Sequence, residues 1–212
     1  MIENATGIIL RTRPLTETSL IVHWLTADLG RLATVAKGAR RPKSTFAGRL
    51  DLFYEADFSF SRSRTSGLHQ LREVKVRATH EAIRRDILRL QQAAYTTACL
   101  EQATESETPL TEIFELTRSF LASLCDLPPL PQTVFAFELK LLRELGLAPE
   151  LAESHLTPGA AKIVASLQQG DWPALARLKL SGSQNQELRQ WLHGFLIFHL
   201  GKLPRGRATA VA

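Results

Sequence analysis

The chain has 212 residues, of which 44% are hydrophobic and 22% are charged, and its formal net charge is +5. This length can bury one large core or two small ones, and the composition is typical of a soluble globular protein. No apolar run approaches the roughly 18 residues that a membrane span needs, and Met1–Asn4 lacks the features of a signal peptide. We therefore expect a cytoplasmic protein without membrane contact.

The positive charge is concentrated in the N-terminal part of the chain. Residues 1–80 carry 13 lysines and arginines against 7 acidic residues, a net charge of +6, whereas residues 81–212 carry 13 against 14. Solubility alone does not require such a division. The distribution therefore predicts that the N-terminal part binds a polyanion.

Five short β-strands are predicted in the first 80 residues. The clearest is Leu50–Ser61, where apolar and polar side chains alternate with a period of two. The other four are predicted at Gly7–Arg13, Ser19–Thr26, Arg31–Lys37 and Leu68–Val76. Five strands in this length favour a closed barrel, and the five-stranded OB-fold is the commonest barrel of this size that binds nucleic acid.

The hydrophobic period changes from 2 to about 3.6 near His80, which predicts a helical remainder. Helices are predicted at 80–103, 110–125, 132–145, 158–169, 172–180 and 184–200. The tail Lys202–Ala212 is basic, then small and polar, so we expect it to be loose. The sequence thus predicts an α+β protein with an OB-fold domain at residues 1–79 and an all-helical domain at residues 80–212.

A basic loop is predicted at Lys37–Ser44 (KGARRPKS), between two strands, with Gly38 and Pro42 fixing its backbone. Such a loop at a barrel mouth can direct several cations towards one phosphate backbone, and counterion release then makes binding salt-sensitive. The alternative, a solvated charged loop without a ligand, is open on composition alone. The cations predicted to contact nucleic acid are Arg31, Lys37, Arg40, Arg41, Lys43, Arg62 and Arg64.

Two aromatic residues near this loop are candidates for stacking on bases. Phe46 lies beside the basic loop, and Phe53 interrupts the polar face of its strand. Either ring could equally belong to the barrel core. The aromatic residues expected in the core from their alternating pattern are Trp24, Tyr54, Phe58 and Phe60.

The sequence contains no recognisable catalytic or metal-binding motif. Its six histidines form no HExxH pair, and its two cysteines are too few for a four-thiolate zinc site. It has no phosphate-binding loop, no dinucleotide fingerprint and no nucleophile elbow. We therefore predict a protein without catalytic residues, cofactor or metal.

The last predicted helix has a wide apolar stripe that includes Trp191 and Phe195. This stripe is explained by ordinary helix packing or by a groove for an apolar partner peptide.

Several sequence blocks that can be compared with a known family follow one another along the chain. They are GIILRTR at 7–13, ETSLIV at 17–22, LT at 25–26, GRL at 30–32, VAKGARRPKS at 35–44, FELKLLRELGLAPEL at 137–151 and FHLGK at 198–202. Taken in this order, over nearly the whole length, they resemble the RecO family of bacterial recombination mediators.

This resemblance implies an N-terminal OB-fold followed by an all-helical domain. It implies binding of single- and double-stranded DNA and annealing of complementary strands, including strands coated by single-stranded DNA-binding protein (SSB). The implied partners are RecR and the acidic, apolar C-terminal tail of SSB, with RecA loaded at gaps as the outcome and no nucleotide hydrolysis. Candidates for the pocket that receives the SSB tail are Arg189, Trp191 and Phe195.

The sequence departs from this resemblance in one place. Many members of the family carry a four-cysteine zinc module after the central helix, whereas residues 150–159 (ELAESHLTPG) contain no cysteine. We therefore predict a zinc-free variant. Two alternatives from other classes are an RNA-binding OB-fold protein of translation or ribosome assembly, and an enzyme with a basic barrel appended to it.

Overall fold

The computed structural model describes residues 2–151 and 154–212. The chain divides into two compact units. The first contains Met1–His80 and Thr104–Arg118, and the second contains Glu81–Ala103 and Ser119–Ala212. The first unit therefore includes a segment, Thr104–Arg118, that lies beyond the domain boundary predicted at residue 79.

The first unit is built on a closed five-stranded barrel, as predicted. The strands are β1 Ile2–Pro14, β2 Leu20–Thr26, β3 Gly30–Ala36, β4 Glu55–Ser61 and β5 Leu68–Ala78. They run in the order β1–β2–β3–β5–β4, and β4 pairs back with β1. All neighbouring strands are antiparallel except β3 and β5, which are parallel.

The fourth strand begins later than its alternating pattern indicates. It starts at Glu55 instead of Leu50, because the backbone of Phe53 turns into the left-handed region with φ of 64°. The amide of Phe53 donates to the carbonyl of Ile9 over 2.8 Å, beside an irregularity in β1 between Ile9 and Arg11. The turn therefore ends the regular strand while keeping this stretch bonded to the barrel wall.

The barrel interior is filled by aromatic rings. Trp24 stacks on Phe58 with ring centroids 4.1 Å apart, and Phe60 packs beside Phe58. All three are buried, which confirms the prediction that they form the core, and Tyr54 packs against them while half-buried. The buried indole N–H of Trp24 donates to Thr34 Oγ1 over 2.9 Å, so no polar group of that ring is left without a partner.

The segment Thr104–Arg118 completes the first unit along the edge of β3. The amide of Glu107 donates to the carbonyl of Arg31, and the amide of Leu110 donates to the carbonyl of Ala27. Gly30 makes this approach possible, because a Cβ at that position would lie 1.8 Å from the carbonyl oxygen of Thr108.

The remaining elements are helices. They are α1 Glu81–Arg84, α2 Ile87–Ala103, α3 Thr111–Asp126, α4 Pro131–Glu144, α5 Pro158–Gln169, α6 Trp172–Ala176, α7 Gly182–Leu200 and α8 Arg207–Ala210. The single helix predicted at 80–103 is divided in two at Asp86, whose carboxylate accepts from the amide of Leu88 and so begins α2. The helix predicted at 172–180 is shorter, since α6 ends at Ala176.

The prediction of a loose C-terminal tail is wrong. Arg207 of α8 is buried against Glu138 of α4, and the amide group of Gln92 donates to the carbonyl of Ala210 over 3.1 Å. Val211 is fully buried. The tail is therefore an integral part of the second unit.

Candidate nucleic-acid interface

The basic loop Lys37–Ser44 is a compact series of turns that follows β3. The amide of Arg41 donates to the carbonyl of Gly38, and the amide of Ser44 donates to that of Arg41. Gly38 has φ of 70°, a conformation that glycine adopts without strain. These turns place all four cations of the loop, Lys37, Arg40, Arg41 and Lys43, on the surface as exposed side chains.

The loop is tied to the turn between β1 and β2 through Arg40. Its amide donates to the carbonyl of Thr18 over 3.0 Å, and its guanidinium donates to the carbonyl of Thr16 over 3.2 Å. Within residues 2–151 and 154–212, no ion pair joins the four loop cations to a carboxylate. Their charge is therefore available to an external anion.

Arg31 lies elsewhere, at the start of β3. Its Nε donates to Thr104 Oγ1 over 2.8 Å, and its Nη2 donates to the carbonyl of Thr104. These hydrogen bonds hold the guanidinium of Arg31 against the segment Thr104–Arg118, which covers the edge of β3. A phosphate that bound Arg31 would compete with those contacts.

Arg62 is also engaged within the chain. It forms a bidentate pair with Glu3 over 2.8 and 2.9 Å, and its Nη1 lies 3.2 Å from Glu107. The hydrogen bonds from Arg62 lower the pKa of Glu3, and the carboxylate of Glu3 raises the pKa of Arg62. Arg64, two residues later, is exposed and forms no ion pair with the described residues. The two arginines of this turn therefore differ in how readily they can meet a phosphate.

The interpretation of Phe46 and Phe53 as stacking platforms is wrong. Phe46 is 8% exposed and belongs to the barrel core, and Phe53 is 2% exposed. The turns at 44–49 fold over the barrel, because the amide of Ala47 donates to the carbonyl of Ser44 and that of Arg49 to Phe46. Phe53 is enclosed by the chain and Phe46 reaches the surface only at the wall of a cavity, so neither ring offers an exposed face to a base.

A cavity of about 550 Å³ adjoins the end of the basic loop. Three cations that were not predicted line it, namely Arg49, Arg72 and Lys75, together with the acidic Asp57 and Glu73. Asp57 already pairs with Arg77 over 2.8 Å, and this hydrogen bond lowers its pKa. The cavity therefore extends the basic surface beyond the loop.

A second basic group on the same unit surrounds His23 of β2. Arg11 of β1 pairs directly with His23 across the two strands, and Arg13 follows on the same face of β1. Burial lowers the pKa of His23 to about 4, and the charges of Arg11, Arg13 and Arg31 add to the shift. The sequence signal for this surface is RTR at 11–13, in which one residue separates two arginines. No site was predicted there from the sequence.

The three residues predicted to bind a partner do not share one pocket. Trp191 and Phe195 line a cavity of about 370 Å³ with His155 and His199. Arg189 lines a separate, apolar cavity of about 260 Å³ whose other lining residues are Gln190, His193, Arg207, Ala208 and Val211. The guanidinium of Arg189 also donates to the carbonyl of Val211.

Neither a metal centre nor a membrane span is found in the described parts of the chain. There, no three histidine, cysteine, aspartate or glutamate side chains are grouped so that they could hold a metal ion. None of the described helices has the length and apolar character needed to cross a bilayer. Residues 152 and 153 of the cysteine-free segment lie outside the description, so the absence of zinc stays a prediction.

The barrel with its basic loop, followed by helices, defines the class of OB-fold proteins with an appended helical part. A family model described as the N terminal of recombination protein O matches residues 1–80, and one described as its C terminal matches residues 84–157. The chain belongs to the RecO family, as its sequence blocks predicted.

Individual members of the family show the extent of this similarity. The chain is 36% identical to the DNA repair protein RecO of Rhodopirellula baltica over 143 residues, and 33% identical to that of Exiguobacterium sibiricum over 151. These matches cover 68% and 71% of the chain but only 53% and 60% of the two relatives. A match to the protein of Anaeromyxobacter dehalogenans is 28% identical and covers 93% of the chain and 91% of the relative.

Proposed function

We propose that this protein is a non-enzymatic recombination mediator that binds single- and double-stranded DNA and anneals complementary strands, including strands coated by SSB. With RecR, it would help to load RecA at gaps, in the cytoplasm and in association with the nucleoid. The observation that carries the proposal is the exposed basic loop, whose four cations have no carboxylate partner among the described residues. Membership of a family whose relatives are described as DNA repair proteins supports it.

The mechanism requires charge and geometry but no bond-making step. Two complementary strands repel each other through their phosphates, and cations held on a rigid barrel reduce that repulsion. The loop cations are exposed to solvent, so each contact with a phosphate is weak and the strands can exchange register until base pairing holds them. Cations alone do not read base identity, which suits a protein that must anneal any sequence.

Two further basic surfaces of the first unit extend this binding. The cavity with Arg49, Arg72 and Lys75 continues from the loop, while Arg11 and Arg13 stand on the wall formed by β1 and β2. We assign the loop and cavity to one strand and the arginine pair to a second strand. Two groups of cations on the first unit would allow both strands to be held at once.

The tail of SSB would bind in the helical part, in the apolar cavity beside Arg189. An acidic tail with an apolar end needs a cation for its terminal carboxylate and an apolar pocket for its last side chain. Arg189, His193 and Val211 offer both features around one cavity. Trp191 and Phe195 line a different cavity, so we assign them no direct part in this contact.

The decisive experiment is annealing of complementary, SSB-coated oligonucleotides by the purified protein without ATP. The quadruple alanine variant of Lys37, Arg40, Arg41 and Lys43 should lose most of the annealing rate. A control variant that removes three exposed cations of the second unit, Lys162, Arg177 and Lys179, should anneal at the wild-type rate. Equal annealing by the loop variant would refute the assignment.

The RNA-binding alternative predicts a different result in the same assay. A protein of translation or ribosome assembly would bind RNA strands more tightly than DNA strands and would not respond to an SSB tail peptide. Titrating both nucleic acids and the peptide at one salt concentration separates the two functions.

A further inference from the structure

The cavity beside the basic loop is lined by polar side chains that have no partner in the described part of the chain. Its volume of about 550 Å³ lies within the range of roughly 300–1,000 Å³ that small-ligand sites occupy. Four of its lining side chains form no hydrogen bond or ion pair with a described residue, namely Asn4, Thr45, Ser59 and Glu73. Their hydrogen-bonding groups are therefore available to a ligand.

Three adjacent strands place these polar groups in one row on the outer wall of the barrel. Asn4 of β1 pairs with Ser59 of β4, and Ser59 pairs with Glu73 of β5. Phe58, the neighbour of Ser59, belongs to the barrel core, so Ser59 faces outward. The row thus offers an amide, a hydroxyl and a carboxylate side by side.

Three exposed cations border the same row. Lys75 of β5 forms no ion pair with the described residues. Arg72 donates to Ser61 Oγ over 2.9 Å, and Arg49 donates to the carbonyl of Val74 over 3.2 Å. Neither of these oxygens carries a full charge, so all three cations keep their charge for an anion.

The carboxylate of Glu73 argues against a site for phosphate alone. It repels phosphate oxygens, so a site of that kind would be better without it. A carboxylate does accept hydrogen bonds from the amino groups of bases, as in the pairing of glutamate with cytosine N4. Cations and an acceptor in one cavity therefore fit a nucleotide, which has an anionic phosphate and a base with hydrogen-bond donors.

We propose that this cavity takes one unpaired nucleotide of a single DNA strand, with the base at Glu73 and its flanking phosphates at Arg49 and Lys75. This inference rests on the proposed function, since it names the part of the strand that the cavity contacts. In a duplex, pairing and stacking hold the base inside, so only an unpaired nucleotide enters without a large cost. The cavity thereby distinguishes single strands from duplexes, which cations alone do not.

The base should be recognised by hydrogen bonds and not by stacking. Phe46 and Phe58 also line the cavity, but both are buried, so neither presents a ring face. Cytosine and adenine carry an exocyclic amine that can donate to Glu73, whereas thymine has an oxygen and a methyl group there. Strands of cytosine should therefore bind more tightly than thymine strands of equal length, by at least about threefold.

Fluorescence anisotropy with cytosine and thymine oligonucleotides tests the assignment through Glu73→Ala. If Glu73 accepts from the base, the variant should lose the preference for cytosine, while its affinity for thymine stays the same or rises. Glu17→Ala removes an exposed carboxylate from the turn between β1 and β2 and should keep the preference. A wild type without preference, or an equal rise in affinity for both strands in both variants, overturns the inference.

Binding to duplex DNA tests whether the nucleotide must be unpaired. Glu73→Ala should change the affinity for a duplex no more than Glu17→Ala does, because a paired base cannot enter the cavity. An effect of Glu73→Ala on the duplex as large as that on the cytosine strand would contradict the inference.

A free nucleotide offers the same chemistry as a nucleotide within a strand. Titration with dCMP distinguishes the two sources, since a strand also contacts Arg49, Lys75 and the basic loop through neighbouring phosphates. The wild type should bind dCMP much more weakly than the cytosine oligonucleotide. Equal affinities would assign the cavity to a free nucleotide and overturn the proposal.

Two variants separate a failure of this inference from a failure of the proposed function. Lys75→Ala should weaken binding to both oligonucleotides alike and reduce the salt slope by about 1. If the quadruple loop variant loses both oligonucleotides while the wild type shows no preference for cytosine, the proposed function stands and the cavity assignment is wrong. If that variant binds as the wild type does, while the preference still depends on Glu73, the cavity assignment stands and the loop assignment is wrong.

Discussion

Arg207 and Glu138 form a bidentate ion pair inside the second unit, with N–O distances of 2.7 and 2.9 Å. The hydroxyl of Tyr95 donates to the same carboxylate over 2.5 Å. Glu138 has no exposure to solvent and Arg207 is buried as well. A buried charge is tolerated only when it is paired and hydrogen-bonded, so this contact holds the C-terminal helix in place.

Replacing Arg207 with alanine should therefore destabilise the second unit strongly. The carboxylate of Glu138 would remain buried without its counter-ion, a situation that costs about 3 to 5 kcal/mol. Urea unfolding followed by circular dichroism would measure this loss. Arg205→Ala, at an exposed neighbour, is the control and should unfold with the wild type. Equal stability of the two variants would show that the ion pair does not hold the tail.

Gly30→Ala should disrupt the segment that covers β3. A methyl group there would overlap the carbonyl of Thr108, and φ at Gly30 is 65°. Gly48→Ala is a matched control, because its φ of 70° is similar but no atom lies within 4 Å of the added carbon. The control should lose about 1 to 2 kcal/mol from backbone strain alone. Thermal unfolding should show at least twice that loss of stability for Gly30→Ala. Equal losses in the two variants would mean that the overlap with Thr108 does not contribute.

The salt dependence of DNA binding should separate the loop cations from Arg62. Lys43→Ala removes an exposed cation without an ion pair to the described residues, so the slope of log K against log salt should fall by about 1. Arg62→Ala removes a cation that Glu3 and Glu107 already neutralise, so its slope should change by less than half as much. Fluorescence anisotropy titrations at several salt concentrations would measure both. A larger change for Arg62 would mean that DNA displaces its two carboxylates.

The protonation of His23 should make the first unit less stable at acidic pH. Its pKa in the folded state is lowered to about 4, below the value near 6.5 of an unfolded chain. Between these values the unfolded chain binds a proton that the folded one does not, so stability falls as pH decreases through this window and is complete above it. Comparing urea unfolding of the wild type and His23→Gln from pH 7 to 4 would reveal a flatter dependence in the variant. Parallel curves would contradict this role.

The barrel could be predicted from the sequence because its strands carry a local signal. Alternation with a period of two is visible within seven or eight residues. The basic loop between two strands is visible in the same way, as a short run of cations. The end of a strand is harder to predict. The alternating pattern of Leu50–Ser61 continues through Phe53, but the backbone turns there and the strand does not. The family could be identified because several sequence blocks that resemble it occur in order along the chain.

The errors concerned residues whose environment comes from distant parts of the chain. The sequence left Phe46 open between a stacking platform and the core, and the turns around it, which fold over the barrel, place it in the core. Arg62 looked available, although its partners Glu3 and Glu107 lie 59 and 45 positions away. Arg207 looked solvated because Glu138 is 69 positions away. A local sequence pattern cannot reveal a partner that lies so many positions away along the chain.

The parallel pairing of β3 with β5 that closes the barrel is short. This affects both folding during synthesis and the choice of a site for truncation. Only Ala33, Thr34 and Val35 of β3 pair with β5, and the edge at Arg31 is covered instead by a bridge to Ser106. During synthesis that edge stays uncovered until the segment up to Leu110 has emerged from the ribosome. A fragment truncated at residue 80, although it contains every strand, would present bare main-chain groups to its neighbours and be prone to aggregate edge to edge.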